Sequence, residues 1–443
     1  MSDASNRRPG DRRPTVFSGA RVVDPSRGVD AIGSVIVAEG RILAAGPDVL
    51  NQGSPEGWET IDARGKVVAP GLVDARVFVG EPGHEHRETL ASASRAAAAG
   101  GVTTIVTMPD TDPVIDDPAL VDFVKRRARD AAVVRVHPMA ALTKGLAGAE
   151  MVEIGLLSEA GAVAFTDGRR AVASAQMMRR ALTYAGDFGA LIVNHIEEPT
   201  LAGAGVINAS EFASRLGLSG IPVEAETIML ERDLRLVKLA KGRYHAAQVS
   251  TAESIDLVRA AKARGLDVTC GVSINNLCLN ELDVGTYRSF LKLSPPLRSE
   301  EDRLAMVAGL AEGVIDMVVS GHDPQDVEMK RHPFAEAADG AVGLETLLAA
   351  GLRLVQAGDI TLAGLVAAMA TRPAARLGLD AGTLRPGAPA DLILIDLERP
   401  WILERAHLVS RSKNTPFEDA RFTGRVLRTL VGGRTVFSLE DAP

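Results

Sequence analysis

The chain has 443 residues, 46% of them hydrophobic and 24% charged, a balance that excludes a disordered or collagen-like chain and supports a large core. Its 49 basic and 57 acidic residues leave a net charge of −8, which argues against general binding to nucleic acid or anionic membranes. Two cysteines, Cys270 and Cys278, exclude a disulfide framework and a Cys-based zinc site, and no apolar run approaches the ~18 residues of a membrane span.

Residues 1–14 are polar and Arg-rich, without the apolar stretch of a signal peptide. They predict a flexible tail on a cytoplasmic protein. Residues 15–69 read as β-rich: short apolar pieces at 22–23, 34–37 and 42–43 are punctuated by Gly28, Gly33, Gly40 and Gly46. The C-terminal pieces at 391–396, 424–430 and 435–437 have the same character. Because chain ends tend to lie close together, the two regions predict one small β-sandwich, built from residues 15–68 and 380–443.

Between them, over 69–379, apolar runs alternate with Ala- and Leu-rich helical patterns. The eight runs are 69–79, 102–109, 133–139, 162–167, 190–196, 243–250, 266–273 and 315–320. Asp117 followed by Pro118 reads as a helix start, Ser299 with Asp302 as a capping box with Asp in place of Glu, and Gly100, Gly101 and Gly265 as helix stops. Residues 344–358 and 362–377 read as further helices. Eight βα units predict a (β/α)8 TIM barrel, and the lack of a cofactor glycine motif favours closure over an open doubly wound sheet.

In such barrels chemistry collects at the C-terminal strand ends. Asp167 ends the fourth run, His195 ends the fifth and His322 follows the eighth, so the three are expected to converge on the barrel mouth. Each alone also fits a hydrogen-bonded strand-end polar group. His84 and His86 form an H-x-H. Placed at the start of a helix, they point about 200° apart and do not chelate together. His137 and His245 inside strands, and His332 and His407 in loops, read as structural. Glu197 and Glu198 read as a solvated strand end, with an acid/base role as the alternative.

Six collinear segments carry a resemblance: APGLVDARVFVGEPGHEHRET, AAAAGGVTTIVTMPDTDPVIDDP, GLSGIPVEAE, KLSPPLRSEEDR, GAVGLETLL and SRSKNTPF. Over residues 15–440 the chain resembles the dihydroorotases of the amidohydrolase superfamily. The resemblance implies a (β/α)8 barrel with a β-sandwich from both termini. It also implies one or two zinc ions, held by an H-x-H on strand 1, an Asp or carbamylated Lys on strand 4, His on strands 5 and 6, and Asp on strand 8.

Against that pattern, Asp167 and His195 are kept and most else is changed. The strand-1 histidines are Arg76 and Phe78, the strand-6 histidine is Gln248, and the strand-8 Asp is Gly321 beside His322 and Asp323. At positions that the resemblance assigns to substrate, Arg is replaced by Gly80, Asn by Asp110 and a His pair by Asn275 and Asn276. Zinc needs about three to four ligands, and a guanidinium at position 76 repels a dication. The expectation is a chain without bound metal, with Arg76 salt-bridged to Asp167 in its place.

Three readings follow. The first is an inactive dihydroorotase-like protein of pyrimidine biosynthesis that assembles with aspartate carbamoyltransferase, as the family's inactive members do. The second is an active cyclic-amide hydrolase in which Asp167, His195, His322 and Asp323 hold one metal. The third is a small-molecule sensor using the barrel mouth.

Overall fold

The computed structural model describes residues 14–51, 53 and 57–441, so all but the last residue of the expected N-terminal tail lies outside the described residues. The strands are β1 (Thr15–Asp24), β2 (Val29–Ala38), β3 (Arg41–Gly46), β4 (Glu59–Asp62), β5 (Val67–Pro70), β6 (Leu72–Val77), β7 (Val102–Thr107), β8 (Arg135–Pro138) and β9 (Leu191–His195). They continue as β10 (Ile207–Asn208), β11 (Gly220–Ile221), β12 (Arg243–Ala247), β13 (Val268–Ser273), β14 (Met317–Val319), β15 (Leu392–Ile402), β16 (Arg421–Val431) and β17 (Arg434–Ser438).

The two chain ends share one sheet, ordered β17-β16-β15-β5-β1-β2-β3, with β4 beside β1. Its joint is the antiparallel pair β15–β5, where Leu392 faces Pro70 and Ile395 faces Val67. The two-residue strand period sorts the side chains. Val68, Leu392 and Leu394 join Phe17, Val22, Val35 and Ile42 in a small core of the sheet's own. Val67, Ala69, Ile393 and Ile395 face the other way and merge with the barrel core. The sheet therefore runs to Pro70, two residues beyond the expected boundary. The apolar run carries straight through, and only Gly71 marks the crossing: a Cβ there would lie 2.1 Å from Thr103 Oγ1.

In the barrel, β6-β7-β8 and β9-β12-β13-β14 form two parallel sets. The fourth run is reduced to Phe165, which bridges Ala140 on one side and Ile192 on the other. It is short because Asp167 and the left-handed Gly168 (φ +70°) turn the chain away. The ring closes where Phe78 N donates to His322 O at 2.9 Å and Ser320 N donates to the Asp74 carboxylate at 3.3 Å.

Helix starts follow the sequence signals. Asp117 accepts from Ala119 N ahead of Pro118–Ala131, with Pro118 in the first turn. Ser299 accepts from Asp302 N ahead of Glu300–Ala311. Asp302 does not complete the capping box, however: its Oδ1 accepts from Ala252 N and so caps the neighbouring helix Ala252–Ala263. The helix expected over 362–377 is broken into Leu362–Val366, a π turn at Ala367–Thr371, and Arg372–Leu377. Pro373 lacks the N–H for an internal bond, and its ring crowds the preceding turn.

One buried carboxylate ties sheet to barrel. Asp391, 2% exposed, accepts from the Arg135 guanidinium of β8 and from Gly432 N at 2.7 Å. Replacing it with Ala leaves those donors without an acceptor. Asp391→Ala should cost about 2–4 kcal/mol of stability, read as a lowered midpoint in urea unfolding.

Candidate functional site at the barrel mouth

The C-terminal ends of the strands bring Arg76, Asp110, Asp167, His195, Gln248, Asn275 and the 320–323 segment to one end of the barrel. Arg76 sits near the end of β6, and its Nη1 donates to Gln248 Oε1 at 3.1 Å. Its Nε and Nη2 are shut off from solvent without a hydrogen-bond partner. Burial makes this guanidinium easier to deprotonate than an ordinary one, against the fields of Asp110 and Asp323. Gln248, 3% exposed, takes a left-handed backbone (φ +65°), which is uncommon for a residue with a side chain and marks local strain at the site.

The expected Arg76–Asp167 salt bridge is absent, and the reason is local. The chain after β8 wraps over Asp167, whose Oδ1 accepts from Leu142 N at 3.0 Å and Thr143 N at 2.8 Å, while Oδ2 accepts from Thr143 Oγ1 at 2.5 Å. A carboxylate with that many donors needs no cation. Burial nonetheless raises its pKa.

Nor do Asp167, His195 and His322 meet in one cluster. His322 leans away toward the last part of the chain. Its Nδ1 accepts from Gly343 N at 3.2 Å and its Nε2 lies 3.6 Å from Glu88. His195, 3% exposed, has no hydrogen bond at either ring nitrogen, and its Nε2 lies 3.7 Å from Glu197. Burial alone would raise the Glu197 carboxyl, but this imidazole brings it below its ordinary range. Glu197 is therefore a neighbour of the site and not a solvated strand end. Glu198 caps the turn Pro199–Ala202.

The substituted positions have definite surroundings. Phe78 is a platform for cations, with the Arg87 guanidinium 4.0 Å and that of Arg169 6.0 Å from its ring centroid. Gly80 leaves no room for a side chain, since a Cβ would lie 2.1 Å from His84 O. Asp110 is paired with Arg169 at 3.3 Å, which offsets its negative charge. Gly321 is left-handed (φ +65°), and a Cβ there would lie 2.7 Å from Ser273 Oγ. Asn275 leaves its Oδ1 unpartnered, whereas Asn276 donates to Pro296 O at 3.0 Å. His84 and His86 stand in a turn before the helix Leu90–Ala99, not on it, with ring centroids 6.1 Å apart. The helical-angle argument against their chelating together therefore does not apply.

Sequence reasoning missed Arg87 and Arg169. Both reach Asp323, at 2.6 and 3.2 Å, and with Asp110 they form a charged band across the mouth. The sequence carries the signal, since each follows a barrel strand end, but the resemblance assigns neither position a metal ligand or a substrate contact.

The residues present do not fit a zinc centre. Of the positions compared, one imidazole and one saturated carboxylate remain. Among the described residues, no three His, Cys, Asp or Glu side chains are grouped to hold a metal ion.

Barrel, terminal sheet and strand-end site together define an amidohydrolase-type TIM-barrel protein. The solved L-hydantoinase (dihydropyrimidinase) from Arthrobacter aurescens superposes with a TM-score of 0.87 at 28% identity, covering 96% of both chains. Dihydropyrimidinase from Brevibacillus agri shares the fold, with a TM-score of 0.83 at 21% identity. A dihydro-orotase-like family model matches residues 65–254. The dihydroorotases of Citrifermentans bemidjiense and Anaeromyxobacter sp. strain K are 42% and 43% identical over 422 residues, covering 95% of this chain and 99% and 97% of theirs. The chain belongs to the dihydroorotase family. No helix among the described residues is long and apolar enough to cross a membrane.

Two expectations follow from the geometry. Asp167→Ala strips the acceptor from two backbone N–H groups and one hydroxyl, so it should lower stability by about 2–4 kcal/mol, measurable by urea unfolding. Asp74 is buried and raised to about 6, above its unfolded value of 3.8. The folded state therefore holds this proton more tightly, and stability falls as pH rises from about 4 to about 6. Asp74→Asn should remove that decline, a difference of about 3 kcal/mol at pH 7, read from unfolding at a series of pH values.

Proposed function

We propose that this chain is a non-catalytic dihydroorotase-like protein of pyrimidine biosynthesis that acts as an assembly partner of aspartate carbamoyltransferase. The observation that carries the reading is Arg76. A guanidinium bonded to Gln248 stands where the resemblance puts a zinc ligand, and both members of that pair replace histidines. With Phe78 and Gly321 at two further positions, neither a Lewis acid nor a metal-bound hydroxide is provided for. The missing strand-8 carboxylate removes a general acid/base, a loss of about 10²–10⁴ in rate by itself.

The frame around the site is fully built, which fits a protein kept for its surface. Arg298 of the PPLR segment donates to Asn208 Oδ1, Ile221 O and Ser250 Oγ. Glu345 of GLET accepts from Val409 N and Ser410 N, and Asn414 donates to Gly340 O.

The second reading, a catalytic one, draws on the relatives, which are named dihydroorotases. A direct assay separates the two. The purified chain should carry far less than one zinc per chain, show no dihydroorotate hydrolysis or synthesis, and co-elute with aspartate carbamoyltransferase while stabilising it. Turnover abolished by His195→Ala would establish the catalytic reading. Failure to co-elute, with no effect on the carbamoyltransferase, would remove the partner role.

A further inference from the structure

A crevice of about 480 Å³ lies between the terminal sheet and the barrel, and no residue of the barrel mouth lines it. Its volume is that of a small-molecule site. The floor is apolar: Leu348 of the helix Leu347–Ala357, with Leu403, Leu408 and Val426, all buried. Two further lining side chains, Ile402 and Val409, are 52% and 37% exposed. They are large apolar groups left facing water where the crevice opens.

The charges along its walls are unbalanced. Asp396 of β15 faces Arg425 of β16, and Pro400 faces Thr423, so residues 397–399 bulge opposite Gly424 alone. Bulges of this kind re-aim side chains, and this one brings Arg399 near Arg425. Among the described residues neither guanidinium lies within ion-pair distance of a carboxylate. Burial, and then the Arg399 charge, make Arg425 easier to deprotonate than an ordinary arginine. The acidic groups nearby are already engaged. Asp396 is held by Lys66 at 2.6 Å, Glu345 accepts from Val409 N and Ser410 N, and Glu404 faces His407 at 3.4 Å. Trp401 is fixed beside the two cations: its Nε1 donates to Gly424 O at 3.0 Å, and the Arg425 guanidinium stands 4.8 Å from its ring centroid.

The geometry points to a ligand site in this crevice for a small amphipathic anion, a monocarboxylate with an apolar body. The carboxylate sits between Arg399 and Arg425, takes N–H donors from both and relieves their mutual repulsion. The body lies on Leu348, Leu408 and Val426 and covers Ile402 and Val409, so that burial of apolar surface adds to the charge contact. A stable protein partner needs a broad face, whereas the exposed apolar groups here are confined to two side chains at the opening. The site uses no residue of the mouth, so it stands whether or not the chain turns over dihydroorotate.

The test is calorimetry on the full chain with 4-phenylbutyrate, 4-phenylbutylamine, acetate and inorganic phosphate at constant ionic strength. Tryptophan fluorescence gives a second readout, because the chain has two tryptophans and Trp58→Phe leaves Trp401 as the sole emitter. 4-Phenylbutyrate should bind saturably, one per chain, and change the Trp401 emission. The amine, which has the body with the wrong charge, and acetate and phosphate, which have the charge without the body, should not bind detectably. Arg425→Met should weaken binding at least about tenfold through loss of a charge-assisted contact. Arg399→Glu, at an exposed position, sets a carboxylate beside Arg425 and should abolish binding. Val409→Trp, which fills the opening from an exposed side chain, should abolish it too and serves if Arg425→Met does not fold. Absence of saturable 4-phenylbutyrate binding to the wild type would overturn the site. So would the amine binding as tightly as the carboxylate, or binding unchanged in Arg399→Glu and Val409→Trp. Sedimentation of the unliganded chain covers the other occupant: an oligomer that Val409→Trp disperses and 4-phenylbutyrate does not would make the crevice a protein interface and defeat the proposal.

Discussion

The barrel depends on one seam. Eight strand positions make a closed ring only if the first meets the eighth, and here that meeting is the bond from Phe78 N to His322 O, backed by Asp74 receiving Ser320 N. A closed ring has no exposed edges, and its strand ends all point into one mouth. Three of the substituted positions, Arg76, Phe78 and Gly321, flank this seam. Arg76 lies between Asp74 and Phe78 on one side, and Gly321 lies between Ser320 and His322 on the other. The backbone closure is intact while the side chains that flank it have changed character.

The electrostatics of this mouth differ in kind from those of a metal centre. A metal centre concentrates charge at a point and draws carboxylates and imidazoles around it. Here the positive charge is spread over Arg76, Arg87 and Arg169, and the carboxylates of Asp110 and Asp323 are paired off among them. Phe78 fits this arrangement because an aromatic face accepts guanidinium planes. Asp167 and His195, kept from the metal-binding pattern, divide in fate. The first is locked by the Leu142–Thr143 backbone, and the second is left without hydrogen bonds.

Much of the fold was legible in the sequence because apolar periodicity and turn chemistry are local signals. The paired Gly100–Gly101, the Asp117–Pro118 start and the apolar runs each report on their own neighbourhood. The site was legible only as identities at positions. That Arg76 turns to Gln248 and not to Asp167 depends on where the chain after β8 passes, and no local pattern encodes that path. The same holds for His322, which the expectation aimed at the mouth and which Gly343 and Glu88 draw aside. Asp302 illustrates the limit on a smaller scale: a capping motif was visible, but its second oxygen serves a helix that begins fifty residues earlier in the chain.

The shared terminal sheet has a consequence for the order in which the protein comes into being. On the ribosome, β1 to β5 emerge before the barrel, and β1, one neighbour of β5 in the folded sheet, is made by then. The other neighbour of β5 is β15, which is made only after the entire barrel. Until then β5 presents an unpaired edge, and Val67 and Ala69 lack the Ile393 and Ile395 partners that complete their layer. The segment around Ser410, which satisfies Glu88 and Glu345 on the barrel, is later still. Translation must therefore run nearly to its end before the first strands are sealed. The nascent chain spends most of its synthesis as an incomplete sheet attached to a growing ring, and its final strands act as the clasp.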